Sequence, residues 1–345
     1  MVELLSLSQA ELAEFLAPLD RSAFRARQVG EWLARGRQIP EMTNLPAKLR
    51  DRMSEIAVAN PVSVREVRTS AVDGTEKFLY ALPDGNIIEG VLMRYHHGDT
   101  LCLSTQVGCR MGCRFCASTI GGCARNLSPG EMLGQIACAN RHIEADGRRV
   151  HNAVLMGSGE PLDNYDNTVK FLRLLNAPER MNLSLRNVSL STCGLVPQMR
   201  RFAGEGLPVT LSVSLHAPND EIRRKLMPIA NAYPIAEVVS AAREYVEKTG
   251  RRAIFEYALV RGMNCELRHA DELAQLLRGL QCHVNLIPLN GVRERELMPP
   301  GRREAEAFLN RLELRHISAT IRREMGADIE GACGQLRRSA LDKNR

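Results

Sequence analysis

Aromatic side chains are scarce. Phe, Tyr and Trp make up 4% of the 345 residues, with a single Trp. That is too few for an extended platform on which nucleic-acid bases stack. No apolar run approaches the about twenty residues that a membrane-spanning helix needs. Met1–Asp20 carries acids among its apolar residues and so lacks the form of a secretory signal. Low-complexity segments and short-period repeats are also missing. These absences predict a cytoplasmic chain with no membrane contact, built as one large domain with an appendage or as two domains. Apolar residues, at 44%, suffice for a real core, and there are ten cysteines. In a reducing compartment those thiols stay free, bind metal or react. A net charge of +6 and a pI near 8.9 suit a polyanionic partner, or simply a basic enzyme.

Three of the cysteines share one loop, Val107-Gly108-Cys109-Arg110-Met111-Gly112-Cys113-Arg114-Phe115-Cys116. The C-x3-C-x2-C spacing brings three thiols toward one point between small residues, which suits a soft metal centre better than a core. A 4Fe–4S cube has four corners and this loop offers three ligands, so one iron is left to bind something else. Structural zinc is the rival, but it usually takes two Cys/His pairs, and no second pair of that spacing follows. Three buried cysteines that happen to cluster are the plainer alternative.

Residues 1–60 read as a small N-terminal domain of short helices. Ser8-Gln9-Ala10-Glu11 has the form of a capping box. Phe24, Val29, Trp32 and Leu33 mark the apolar face of a second helix, and Leu49–Ala57 adds another. Arg21, Arg25, Arg27, Arg35 and Arg37 decorate the same region, as a solvated face or as contacts to RNA phosphates. From Val62 alternation takes over. Lys77–Leu82 and Asn86–Met93 are predicted strands of a β-hairpin turned by Pro83-Asp84-Gly85. Glu89 lies in the second of them among Ile87, Ile88, Val91 and Leu92. Facing inward, it would be desolvated into a competent base; facing outward, it is an ordinary solvated acid.

From Thr100 strands and helices alternate. Strands are predicted over Leu101–Gln106, Asn152–Met156, Arg186–Ser191, Val209–Leu215, Ala253–Val260 and His283–Leu289, with a last one at Ile317–Arg322 leading to a basic tail. Ser128 and Pro129 open a helix, and others cover Thr168–Leu175, Ile235–Lys248 and Leu267–Arg278, the last stopped by Gly279. The pattern is α/β, with parallel strands and right-handed crossovers. In a β/α barrel the C-terminal strand ends carry the site. The cysteines, Gly159-Glu160, Ser191, Ser214-Leu215-His216 and Asn290 gather at those ends. Gly157-x-Gly159 would let backbone approach a ligand, with Glu160 toward its cation, or simply make a turn. Ser191 suits a ribose or the cap of the next helix. Cys102 feeds the cysteine loop, and Cys333 sits far away between Gly331 and Gly334. Taken alone, each is more often a small buried apolar group than a nucleophile.

The loop is similar to the radical S-adenosylmethionine (SAM) signature, C-x3-C-x-aromatic-C, with Phe115 as the aromatic. Over roughly residues 20–338 the chain resembles the RlmN/Cfr family of radical SAM adenine methyltransferases, and most of all its RlmN branch. The likeness rests on Gln106-Val107-Gly108-Cys109, Cys113, Cys116, Arg125-Asn126-Leu127, Gly159-Glu160-Pro161, Ser214-Leu215-His216-Ala217-Pro218-Asn219, Leu226-Met227-Pro228-Ile229, Asn285-Leu286-Ile287-Pro288 and Ala332-Cys333-Gly334-Gln335-Leu336. The resemblance implies a partial (β/α)6 radical SAM barrel over 99–300. A small N-terminal helical accessory domain that contacts RNA (1–60) and a β-hairpin extension with Glu89 (61–98) precede it. A helix–strand segment with Cys333 (301–345) follows.

By the same resemblance Cys109, Cys113 and Cys116 hold a 4Fe–4S cluster, and Gly159, Glu160, Ser191, Ser214, Leu215, His216 and Asn290 line the SAM pocket. Two SAM molecules serve each turnover. One methylates Cys333; the other, cleaved at the cluster, gives a 5′-deoxyadenosyl radical that removes a hydrogen from the S-methyl group. The carbon radical adds to C2 of adenine, Glu89 takes the adduct proton, and Cys102 frees the product through a transient disulfide with Cys333. The implied substrates are 23S rRNA, at an adenosine near the peptidyl-transferase centre, and some tRNAs, at an adenosine beside the anticodon, with the target base out of its stack. An electron donor such as flavodoxin or ferredoxin and a monomeric state are also expected. Three rivals remain: C8 methylation, as in the antibiotic-resistance branch; another radical SAM class such as a glycyl-radical activase; and an RNA-binding protein with a structural cluster.

Overall fold

The computed structural model of the protein describes residues 1–336, and the expected basic tail lies outside the described residues. At the N-terminus β1 (Val2–Glu3) precedes α1 (Gln9–Leu16), α2 (Arg25–Ala34), α3 (Ala47–Ile56) and β2 (Ala57–Val58). β1 and β2 pair in parallel and clasp the two ends of this helical region, a contact too short to read from sequence. The Ser8–Glu11 capping box forms as expected. Phe24, however, is not on the buried face of α2; it is 55% exposed. It stands just before the helix, where the Asp20–Ser22 turn and the 2.6 Å Arg25–Asp20 ion pair set its direction instead of the helical period. Of the five arginines, Arg25 and Arg37 are engaged with Asp20 and Glu144, and Arg27 pairs with Glu31 on the surface.

One ten-stranded sheet organises the remainder. β3 (Ser63–Thr69), β4 (Glu76–Ala81), β5 (Ile87–Tyr95) and β6 (Gly98–Cys102) form an antiparallel meander. A separate ribbon, β7 (Gln106–Gly108) with β8 (Cys123–Asn126), frames the cysteine loop. Then follow α4 (Pro129–Ile143), β9 (Val150–Leu155), α5 (Tyr165–Asn176), β10 (Val188–Thr192), α6 (Val196–Ala203), β11 (Thr210–Ser214), α7 (Asp220–Leu226) and α8 (Ile235–Thr249). β12 (Ala253–Leu259), α9 (Leu267–Leu276), β13 (Cys282–Pro288), α10 (Arg302–Leu314) and β14 (Ala319–Ile321) complete the chain. From β6 through β14 the neighbours in the main sheet are parallel and in chain order. The hairpin extension is therefore the first part of the barrel's own sheet, joined edge to edge through the β5–β6 pairing.

Several boundaries differ from expectation, two of them for a visible local reason. The strand expected over Leu101–Gln106 is divided, because the Gln135 side chain takes over the Ser104 amide (2.9 Å) and carbonyl (2.9 Å) and the chain turns toward the cysteine loop. α9 ends at Leu276 instead of Arg278, and Gly279 supplies the left-handed residue just beyond (φ +71°). Ser128 and Glu131 cap α4 reciprocally, with Pro129 at its first position. No helix among the described residues is long and apolar enough to cross a membrane.

The sheet is open, with β3 and β14 as its edges. The chain after β14 returns to the far side. Gly326 N–H donates to Asp73 (2.9 Å), and Ser70 donates to Asp328 (2.7 Å). This return carries Cys333 past the strand ends.

Candidate active site

The C-terminal ends of the parallel strands converge on one cavity lined by Cys109, Cys113 and Cys116. The cysteine loop is tied at its ends. Cys109 N–H donates to Gly122 O (3.1 Å), and the Thr119 hydroxyl donates to the Cys113 and Cys116 carbonyls (3.1 and 2.9 Å). Burial pushes the Cys109 thiol up to about 12 and raises Cys113 and Cys116 as well. Without a metal such thiols keep their protons; an iron–sulfur cluster replaces them and takes the thiolates as ligands. Three cysteines lining one cavity supply the soft donors such a cluster takes, although among the described residues no three His, Cys, Asp or Glu side chains are already gathered as for a single metal ion.

Gly159, Glu160, Ser191, Ser214, His216 and Asn290 line the same cavity. Leu215 does not. Its side chain is fully buried in the core, and its N–H donates to Glu256 O, because successive side chains alternate across β11 and its extension. Gly157 and Gly159 serve packing as well as approach. A Cβ on Gly157 would lie 2.7 Å from Leu103 O, and one on Gly159, at φ +112°, 2.7 Å from Gln106 N. The space they leave is filled by the backbone that leads into the cysteine loop. Glu160 is buried, and burial raises its pKa. Against this, its two oxygens accept from Cys193 N–H (2.7 Å) and Leu162 N–H (3.1 Å). Ser191 does not cap α6, whose preceding residue is Leu195; its hydroxyl meets that of Ser214 at 3.3 Å.

His216 holds a left-handed backbone (φ +56°), and its Nδ1 accepts the Ala258 N–H at 2.8 Å. The ring proton is thereby assigned to Nε2. The ring packs edge-on against Phe115, with centroids 4.7 Å apart. Burial, and secondarily Arg223, push His216 down from 6.5 to about 3. The unfolded chain therefore binds a proton below about pH 6.5 that the folded chain refuses down to about pH 3, so stability falls as pH drops through that window. His216→Asn tolerates the left-handed backbone. It is expected to flatten the acid side of the Tm–pH curve of cofactor-free protein between about pH 6.5 and 4; an unchanged slope would assign that acid loss to other groups.

A second, larger cavity of about 860 Å³ also has Cys333 in its wall and is lined by Cys102, Val91, Met93 and Tyr95. Cys333, Arg322, Asn290 and Met156 line both cavities. The Cys333 turn is fixed to the cysteine loop by Ala117 N–H to Gly334 O (2.7 Å) and the Ser118 hydroxyl to Leu336 O (2.7 Å). Asn290 donates to the Cys333 carbonyl (2.9 Å). The Cys333 side chain is reachable by solvent within its concave wall. Burial raises its pKa, and Arg322 opposes that shift. Burial, then the charge of Cys333, pushes Cys102 up to about 12.

Glu89 faces inward on β5, on the same side as Val91 and Met93, and is 1% exposed. It is not a bare desolvated carboxylate, because the equally buried Lys77 ammonium lies 3.1 Å away and also donates to Glu330 O at 3.1 Å. Lys77 was findable from sequence: with the turn at Pro83-Asp84-Gly85 the hairpin register pairs Leu79 with Glu89, which puts Lys77 on the diagonal. Glu256, an acid in an apolar strand, carries the same signal as Glu89. It lines the smaller cavity, with one oxygen held by Asn285 (3.0 Å) and the other lacking a partner among the described residues. Arg322 and Arg223 carry no comparable sequence signal.

Comparisons with known proteins agree with this geometry. A profile of the radical SAM superfamily matches residues 103–274, and one described as the ribosomal RNA large subunit methyltransferase N-terminal domain matches residues 2–59. A protein of Lachnospira eligens named probable dual-specificity RNA methyltransferase RlmN is 48% identical, over 99% of this chain and 97% of its own. One of the same name from Alkaliphilus oremlandii is 49% identical, over 99% and 98%. The crystal structure of a radical SAM methyltransferase from Sphaerobacter thermophilus superposes with a TM-score of 0.95 at 44% identity, over 98% of this chain and all of that one.

Proposed function

Because the chain belongs to the radical SAM superfamily and, within it, to the RlmN family of dual-specificity RNA methyltransferases, we propose that it methylates C2 of an adenosine in 23S rRNA and in some tRNAs, with Cys333 as the methyl carrier. The enzyme uses SAM and a 4Fe–4S cluster. When bound, the cluster supplies the electron that cleaves SAM. Cys109, Cys113 and Cys116 are its ligands. Glu160 receives the SAM ammonium, and the Ser191 and Ser214 hydroxyls, the His216 Nε2–H and Asn290 are its polar contacts. The Leu215 side chain packs in the core, so any contact it makes is through its backbone.

The observation that carries the reading is the place of Cys333, on the wall shared by the cavity of the three cysteines and the cavity of Cys102. A sulfur there can take a methyl group from one side and present it to a base on the other. Glu89 takes the adduct proton, held in position by Lys77. Cys102 releases the product. The N-terminal domain, with Arg21 and Arg35 exposed, is the RNA contact. The same reading gives the chain a cytoplasmic location, a flavodoxin or ferredoxin as electron donor, and a monomeric state. Anaerobic reconstitution with iron and sulfide, then SAM, reductant and an rRNA fragment, is expected to give 5′-deoxyadenosine and 2-methyladenosine. Mass spectrometry that finds 8-methyladenosine instead would move the chain to the C8 branch; RNA binding without 5′-deoxyadenosine would leave only a structural cluster.

A further inference from the structure

Arg223, on α7, has no exposed surface. Its Nη1 and Nη2 donate to the carbonyls of Tyr233 (3.2 Å) and Cys193 (2.6 Å), and its Nε has no partner among the described residues. Asp220, whose field reaches it, has an oxygen on the Ile235 N–H at 2.8 Å. A buried guanidinium held by two neutral carbonyls is costly unless an anion lies near.

The cysteine loop rests on the same segment. Arg114 N–H donates to Leu226 O at 2.9 Å, and a Cβ on Gly112 would lie 3.3 Å from Pro228 Cγ. Cys193 and Cys113, both on the wall of the smaller cavity, are near enough for a charge on either to reach Arg223. Those thiols are neutral when protonated. A cluster on three thiolates is a net anion, and reduction adds a further negative charge.

We propose that Arg223 is the buried counter-charge of the iron–sulfur cluster, favouring its reduced over its oxidised state. This rests on Cys109, Cys113 and Cys116 holding the cluster. Arg223 touches neither substrate nor reacting atoms and acts only through its field.

The test compares the full-length chain with R223Q and R223M, which remove the charge, and R223K, which keeps it. All are reconstituted anaerobically and titrated by EPR of the reduced cluster. The neutral variants are expected to shift the midpoint potential down by at least 59 mV, a tenfold fall in the reduced-to-oxidised ratio at fixed poise, with R223K close to the parent. Cofactor-free R223M is expected to melt no lower than the cofactor-free parent, since the uncompensated charge is gone. If only R223K assembles a cluster, the charge serves binding in both oxidation states, and the inference of a redox preference is overturned. It is also overturned by an unchanged potential at full iron and sulfide content, by an equal loss of stability with and without cofactor, or by misfolding of all three. A parent chain that assembles no cluster would sink the ligand assignment instead.

Discussion

Alanine in place of Cys333 is expected to abolish RNA methylation while iron, sulfide and SAM cleavage to 5′-deoxyadenosine persist. The loss should be on the order of 10⁶-fold, the scale seen when a covalent nucleophile is removed. Cys333 is the cysteine that lines both cavities among the described residues; Cys102 lines only the larger, and Cys109, Cys113, Cys116 and Cys193 only the smaller. The fold should tolerate the change. The bonds that fix the turn involve the Cys333 carbonyl, Gly334 O and Leu336 O, all of them backbone. Multiple turnovers by the variant, counted as methyladenosine per chain, would refute methyl transfer through this sulfur.

Cys102→Ala is expected to stop after one event and leave RNA covalently attached to the chain. On the proposed mechanism Cys102, which lines the same cavity, attacks the Cys333 sulfur. A sulfur–sulfur bond forms, the bond from sulfur to the transferred carbon breaks, and its electron pair leaves with the carbon, which then takes a proton. Burial holds the Cys102 thiol near 12, so it is protonated at rest, and Arg322 is the nearby cation that favours its thiolate. Without Cys102 no other thiol lines the larger cavity beside Cys333 among the described residues. The product should be a shifted, RNase-sensitive band of up to one RNA per chain. Sustained turnover with no such band would remove Cys102 from the reaction.

Local chemistry made much of this legible from sequence. The three-cysteine spacing, the Ser8 and Ser128 caps and the Pro83-Asp84-Gly85 turn each act over a few residues, and each appears in the structure where expected. Glu89 is half legible: its apolar strand predicts an inward face, but only the hairpin register reveals Lys77. Arg223 and Arg322 are opaque. Each is an ordinary arginine in a charged stretch, and what matters is a burial imposed by elements distant in sequence. Leu215 is the opposite case: a motif includes it, although its side chain faces the core.

The chain that carries Cys333 also bridges the two edges of the open sheet, bonded to Asp73 and Ser70 at one side and rooted in β14 at the other. Contacts over 250 residues of separation close late in folding, because so large a loop must first be brought together. In a nascent or locally frayed chain Cys333 is therefore among the last groups seated beside the cysteine loop. Cys333 thus reaches its place between the two cavities only when the perimeter is sealed, so closure of the edges sets when that sulfur can be used.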